Sequence, residues 1–307
     1  MNNTIYFITG PTGIGKSKFA INLSKKINGE IINADSMQIY KELKILSARP
    51  TSVDIKKVNH HLYGYVSGNQ RFNVQKWCTH SVEKINMLIN KNITPIFVGG
   101  TGLYIDTLIN GMRSMPSIPE AIKDEAKDLY DKLGSVNFFE RVKKLDPEAV
   151  KNISKNDSQR LKRIWEIYQY TNKQYSTWKK SNNKKFLNSV DCKIILFLPE
   201  RSKNYIRVNE RVIKMLNNGA IDEIKNLLSL NYKKNLPIMR AHGVPEITSF
   251  LEDSISLEEC IKKIQLVTRH YVKRQNTWWK SSKLDIFKKF NEFPDEFDLK
   301  STNFAEF

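Results

Sequence analysis

A chain of 307 residues, 40% hydrophobic and 27% charged, has the size and composition of one large globular domain or of a domain with an insertion. Its 50 Lys and Arg against 32 Asp and Glu leave a net charge of +18, a field that suits a polyanion and also the bland reading of a lysine-rich surface. Composition argues against three classes: the three cysteines are scattered, the histidines lack metal-ligand spacing, and no apolar run approaches the roughly 20 residues of a membrane span.

The chain opens on "TIYFITG" (4–10), a short apolar run that reads as a first strand rather than a signal peptide, so a cytoplasmic protein is expected. "GPTGIGKS" follows, then a helical pattern with Phe19, Ala20 and Leu23 on one face. "GEIINADS" supplies a second strand and "NITPIFVGG" (92–100) a third, followed by a helix carrying Leu103, Tyr104 and Leu108. Apolar strands alternating with helices predict a parallel sheet with helices on both faces. Over 112–187 the strand signal vanishes and helical patterns take over. In one of them Leu161, Ile164, Trp165 and Tyr168 share a face behind an Asp157 N-cap. "KKSNNKK" (179–185) reads as a polar loop, and "DCKIILFLPE" (191–200) returns to the sheet. The last long helix opens at Ser256 with Glu259 at capping-box spacing. The expectation is a P-loop NTPase-like α/β core (1–111 and 188–307) interrupted by an all-helical insertion (112–187).

Gly10, Pro11, Thr12, Gly13, Ile14, Gly15, Lys16 and Ser17 fit GxxxxGK[ST] in full, between a strand and a helix. Glycines let backbone N–H groups converge on phosphate oxygens, and the helix N-terminus adds partial positive charge. Lys16 then meets the outer phosphates, and Ser17 is the candidate ligand for Mg²⁺. An ATPase should add an apolar strand ending in Asp, and only "EIINADS" does so. Asp35 therefore stands at the ligand-facing end of the sheet as general base or metal contact, or else as an N-cap. "VGGTGLY" (98–104) presents Thr101 at a second glycine turn. In "RVNER" Arg207 and Arg211 share a helix face, either to clamp an anion or as a solvated surface. "RHYVKRQNTWWK" mixes Arg269, Lys273, Arg274 and Lys280 with Tyr271, Trp278 and Trp279, a pattern that suits stacked RNA bases, although tryptophan at helical spacing also builds cores.

In order, "GPTGIGKS", "INADSMQIYKELKILSARP", "HHLYG", "VGGTGLYIDTLINGM", "NDSQRLKRIWEIY", "RVNERVIKM" and "KRQNTWW" resemble the bacterial tRNA dimethylallyltransferase (tRNA isopentenyltransferase) family from residue 4 to about 280. The pattern departs at "RAHGVPE" (240–246), where the family often has Gly-Tyr and this chain has Gly243-Val244. The resemblance implies a cytoplasmic, monomeric prenyltransferase with tRNA and dimethylallyl diphosphate as partners and no membrane. It would move a dimethylallyl group to N6 of adenosine 37 beside the anticodon. It implies the cradle with Mg²⁺ at Ser17 and Arg211 on the diphosphate, Asp35 as the base, and Thr101 beside the acceptor. It further implies that tRNA is touched by Asp35, Ser36, Met37, Gln38, Thr101 and Lys123. Gln159, Arg160, Leu161, Lys162 and Arg163 would grip the anticodon stem-loop. The rival readings are a P-loop kinase of a small metabolite, for which the cradle alone is adequate, and a non-enzymatic RNA-binding module.

Overall fold

The computed structural model describes residues 4–178, 183–188 and 190–297. Residues 179–182 of the expected polar loop lie outside these. In chain order, β1 (Thr4–Thr9) leads into α1 (Lys16–Lys26) and β2 (Gly29–Asn33). Then come α2 (Ser52–Lys57), β3 (His60–His61), α3 (Val74–Ile89), β4 (Thr94–Gly99) and α4 (Gly102–Asn110). A helical stretch follows: α5 (Glu120–Leu145), α6 (Pro147–Val150), α7 (Ser158–Thr171) and α8 (Tyr175–Trp178). The chain returns with β5 (Asp191–Phe197), α9 (Arg201–Asn217) and α10 (Ala220–Ser229), then a 3₁₀ turn at Pro237–Arg240. It continues through α11 (Val244–Leu251) and α12 (Leu257–Ser281) to β6 (Lys288–Phe290).

All strand pairs are parallel, in the order β3-β2-β4-β1-β5-β6. Parallel strands need covering on both faces, and the residues of β1 divide accordingly. Ile5 and Phe7 enter a core shared with Trp77 of α3 and Ile105 of α4, while Tyr6 and Ile8 enter one shared with Phe19 and Leu23 of α1. Phe7 sits opposite Phe97 in the ladder, and their rings stack at 5.0 Å. Each such aromatic, fully buried, contributes about 1.5–3 kcal/mol relative to an exposed one. The two edge strands, β3 and β6, went unread in the sequence because two or three residues are too few to show a period.

The chain divides into two compact units, one running to Ile109 and resuming at Phe186, the other spanning Asn110–Lys185. The second unit is helical around Phe138, Val142, Leu161, Ile164 and Trp165. Asp157 caps α7 by accepting from the Arg160 N–H at 3.1 Å, whereas Tyr168 of the expected stripe is half-buried and Ile167 is fully buried. α5 is interrupted at Gly134, whose φ is +71°. At Ser256 only half of the expected capping box forms, the hydroxyl accepting from the Glu259 N–H at 3.2 Å.

Candidate active site

β1 ends at the carboxyl edge of the sheet and α1 starts seven residues later, so the chain must turn within Gly10–Gly15. Gly13 has φ +83°, and a Cβ there would lie 2.4 Å from Cγ1 of Val208 on α9, so the turn admits no side chain. Backbone N–H groups from Gly13 to Lys16 donate to no other group among the described residues, which leaves the helix N-terminus open to an anion. Ile14 is fully buried in the core beneath α1, so it offers the site only its backbone. Pro11, likewise buried, offers a carbonyl and no N–H.

Lys16 Nζ donates to the carbonyls of Gly10 (3.1 Å) and Pro11 (2.6 Å), which suspends the ammonium over the loop. Burial pushes its pKa down to about 7; Asp35 opposes the shift and Arg211 adds to it. Ser17 is exposed and, with Lys16, Asp35 and Asp295, lines a polar cavity of about 290 Å³. A hydroxyl and two carboxylates are hard oxygen donors of the kind Mg²⁺ accepts.

Asp35 follows β2 and is held by its neighbours. Its N–H donates to Asn33 Oδ1 (2.8 Å), and Asn33 Nδ2 donates to the carbonyls of Asp35 (2.9 Å) and Leu62 (3.0 Å). Asn33 is fully buried, and its own carbonyl accepts the Trp77 indole N–H at 2.9 Å. No helix follows Asp35 directly. Its Oδ1 closes a turn by accepting the Met37 N–H (2.9 Å), and Oδ2 carries no hydrogen bond among the described residues. Thr101, at the mouth of α4, accepts the Ser36 N–H on its hydroxyl at 3.2 Å, which ties the two sheet-end turns together. Burial first, and then the charge of Asp35, raise the phenol pKa of Tyr63 and Tyr271, so both keep their protons at neutral pH.

A second, more apolar cavity of about 190 Å³ shares Thr12, Asp35 and Arg211 with the polar one. Met37, Leu43 and Leu46 furnish part of its wall. The loop bearing them is anchored by Glu223 of α10, whose carboxylate accepts the N–H groups of Lys44, Ile45 and Leu46 at 2.6–2.9 Å. Gln38 lines the polar cavity, and its amide donates to the carbonyls of Ser47 and Ala48.

The two arginines of α9 do different work. Arg211 donates from Nη2 to the Thr12 hydroxyl at 3.0 Å, and its Nε is buried without a partner among the described residues. Arg211 also lines a cavity with Lys16, so its guanidinium is in place to meet an anion there. Arg207 is committed within the chain: it bridges to Asp295 (2.8 Å) and Glu296 and lies 3.7 Å over the Phe293 ring. It is therefore a strut for the segment after β6. The basic-aromatic stretch of α12 divides, with Lys273, Arg274 and Lys280 exposed and other members packed within the chain. Trp279 is core, Trp278 packs on Gly102, and Arg269 bonds Asn209.

In the helical unit Gln159 and Arg160 are exposed, while Lys162 lies over the Tyr130 ring at 5.2 Å. Arg163 donates to the Pro116 carbonyl (3.2 Å) and faces Glu166 (3.6 Å), and Lys123 pairs with Glu120 at 3.0 Å. Leu161 corrects the sequence reading: it is 0% exposed, so its side chain belongs to the core and is closed to an external partner. Three groups at the first unit's site went unread. Gln275 lay inside a quoted motif, while Asn204 and Asp295 carried no signal, because only the fold brings them to the cradle.

Residues 38–282 match a family model described as IPP transferase, and residues 3–66 match one described as isopentenyl transferase. The chain is 42% identical over 274 residues to the tRNA dimethylallyltransferase of Pelagibacter ubique, covering 89% of this chain and 87% of that one. It is 40% identical over 299 residues to that of Wolbachia pipientis subsp. Culex pipiens, covering 95% and 99%. Among solved structures, the tRNA isopentenylpyrophosphate transferase of Bacillus halodurans superposes with a TM-score of 0.69 at 28% identity, covering 97% of this chain and 92% of that one. A eukaryotic dimethylallyltransferase acting on tRNA superposes at 0.79 with 26% identity, covering 97% and 76%.

Proposed function

Since this chain belongs to the IPP transferase family and, like its relatives, transfers a dimethylallyl group to tRNA, we propose that the donor is dimethylallyl diphosphate and the acceptor is N6 of adenosine 37 beside the anticodon. One observation carries this reading: a polar cavity over the phosphate loop and an apolar one meet at Thr12, Asp35 and Arg211. A donor with a charged head and a five-carbon tail fits that pair of compartments. A small-metabolite kinase gives the apolar one no occupant.

In this reading the diphosphate lies on the backbone N–H groups of the loop, with Lys16 and the Arg211 guanidinium against its oxygens. N6 attacks the allylic carbon, the carbon–oxygen bond breaks, and its electron pair leaves with diphosphate. The N6 proton passes to the Asp35 carboxylate, held in place by Asn33 and the Met37 N–H. Donors aimed at developing charge are typically worth ~2.7–4 kcal/mol each, and a positioned base about 10²–10⁴-fold. Ser17, whose hydroxyl lines the same cavity, would hold Mg²⁺, which when bound would offset charge on the leaving diphosphate.

Adenosine 37 must leave its stack to reach so enclosed a site. The exposed Gln159 and Arg160 of α7 support a grip on the anticodon stem-loop by the helical unit. Among the described residues no helix is long and apolar enough to cross a membrane, and a cytoplasmic monomer belongs to the same proposal. Incubation with labelled dimethylallyl diphosphate and unmodified tRNA, followed by mapping of the label, tests the reading. Label on N6 of adenosine 37 supports it, and label elsewhere or absent overturns it.

A further inference from the structure

Gln275 sits deep in α12 at 5% exposure, and both ends of its amide are spent on the site. Its Oε1 accepts the backbone N–H of Thr12 at 2.8 Å, and its Nε2 donates to the carbonyl of Gly100 at 3.0 Å. Thr12 belongs to the cradle, while Gly100 immediately precedes Thr101. One side chain thus spans the donor loop and the acceptor-side turn. Thr12 is further held on its carbonyl by Asn204 (3.2 Å) and on its hydroxyl by Arg211 (3.0 Å), so among the described residues its N–H is fixed by Gln275 alone. The contact is tight at the other end too: a Cβ on Gly100 would fall 2.2 Å from Nε2.

Any of the cradle's N–H groups could serve a phosphate, yet this one is given to a glutamine. Binding strength alone does not explain that assignment; geometry does. Transfer at carbon requires N6 and the donor carbon at about 3–3.5 Å in line, and an error of 1 Å costs on the order of 10²-fold. We propose that Gln275 is a positioning residue, setting the separation of the donor cradle from the Thr101 turn so that the two substrates meet in line. The proposal rests on the dimethylallyl-transfer reading of the site. A purely structural role is the competing account, since a buried amide must be paired whatever its purpose.

Gln275→Met keeps length and volume and removes both hydrogen bonds. The expected result is a folded protein whose affinity for inorganic diphosphate, by calorimetry, stays within threefold, because the freed Thr12 N–H can turn to the anion. Its kcat for tRNA should fall roughly 10–100-fold, and in single turnovers more of the donor should be lost to water as dimethylallyl alcohol. Gly100→Ala displaces the same amide from the other side with Gln275 intact, and should reproduce the pattern if Gln275→Met fails to fold. A kcat within twofold of the parent overturns the proposal. So does a proportional fall of kcat, diphosphate affinity and melting temperature. If the parent enzyme itself binds diphosphate but transfers nothing to tRNA, the underlying reading fails and takes the proposal with it.

Discussion

Lys16 makes the donor site a proton-linked one. Burial holds its pKa down to about 7, against about 10.4 for a free lysine. A diphosphate placed against the ammonium favours the charged form, so the pKa rises on binding. Below about 7 the amine is already protonated in the free enzyme and contributes its full attraction. Above 7 binding must first take up a proton, and affinity falls about tenfold per pH unit until the pKa of the complex is reached. Lys16→Met abolishes this linkage. The ligand titrates identically against both proteins, so the ratio of their dissociation constants isolates the lysine. That ratio should be flat below about pH 6 and shrink about fiftyfold between pH 7 and 9. Calorimetry in buffers of different ionisation enthalpy should show the parent enzyme taking up about 0.9 proton more than Lys16→Met does at pH 8. A ratio equal at pH 6.5 and 9, with no extra uptake, would refute a depressed Lys16.

Asp35→Asn should lower kcat by about 10²–10⁴-fold while leaving tRNA affinity within threefold; equal losses in both would speak against a base. Arg160→Ala removes a side chain that is 71% exposed and should flatten the plot of log affinity against log salt by roughly 0.7–0.9 per lost phosphate contact, at unchanged melting temperature. Arg163→Ala, by releasing the Pro116 carbonyl and Glu166, should also lower the melting temperature of the helical unit. An Arg160→Ala protein with the parent's slope would remove that residue from the RNA surface. Gly13→Ala forces a positive φ, about 1–2 kcal/mol, and a clash with Val208, so thermal stability and diphosphate affinity should fall together. Unchanged values for both would mean that the loop yields to a side chain that its packing on α9 should refuse.

What the sequence showed best was whatever is contiguous. The four long strands announce themselves as apolar runs, and the phosphate loop as a fixed spacing between a strand and a helix. Helix spacing could put Arg207 and Arg211 on one face but could not say what each would meet. One reached Thr12, while the other was taken by acids 88 and 89 residues further on. The aromatic content of α12 was visible, yet only packing distinguishes a tryptophan that stacks on a base from one that fills a core. Leu161 illustrates the same limit: a motif carries its buried residues along with its exposed ones, and burial is a property of the fold. Gln275 stayed silent because an uncharged amide has no pattern until both its partners are in place.

The central strand order has a consequence for how the molecule is made. β1 is among the first segments to leave the ribosome, yet one of its neighbours in the sheet, β5, lies beyond the whole helical unit. The Thr12–Gln275 bond closes over 263 residues. At roughly 5–20 residues per second, the phosphate loop waits on the order of ten to fifty seconds for that partner. During that interval the helical unit, contiguous in sequence, can already assemble. A growing chain would then complete its helical unit before its phosphate loop gains its last partner. The enzyme's competence to transfer a dimethylallyl group would be the last thing synthesis confers.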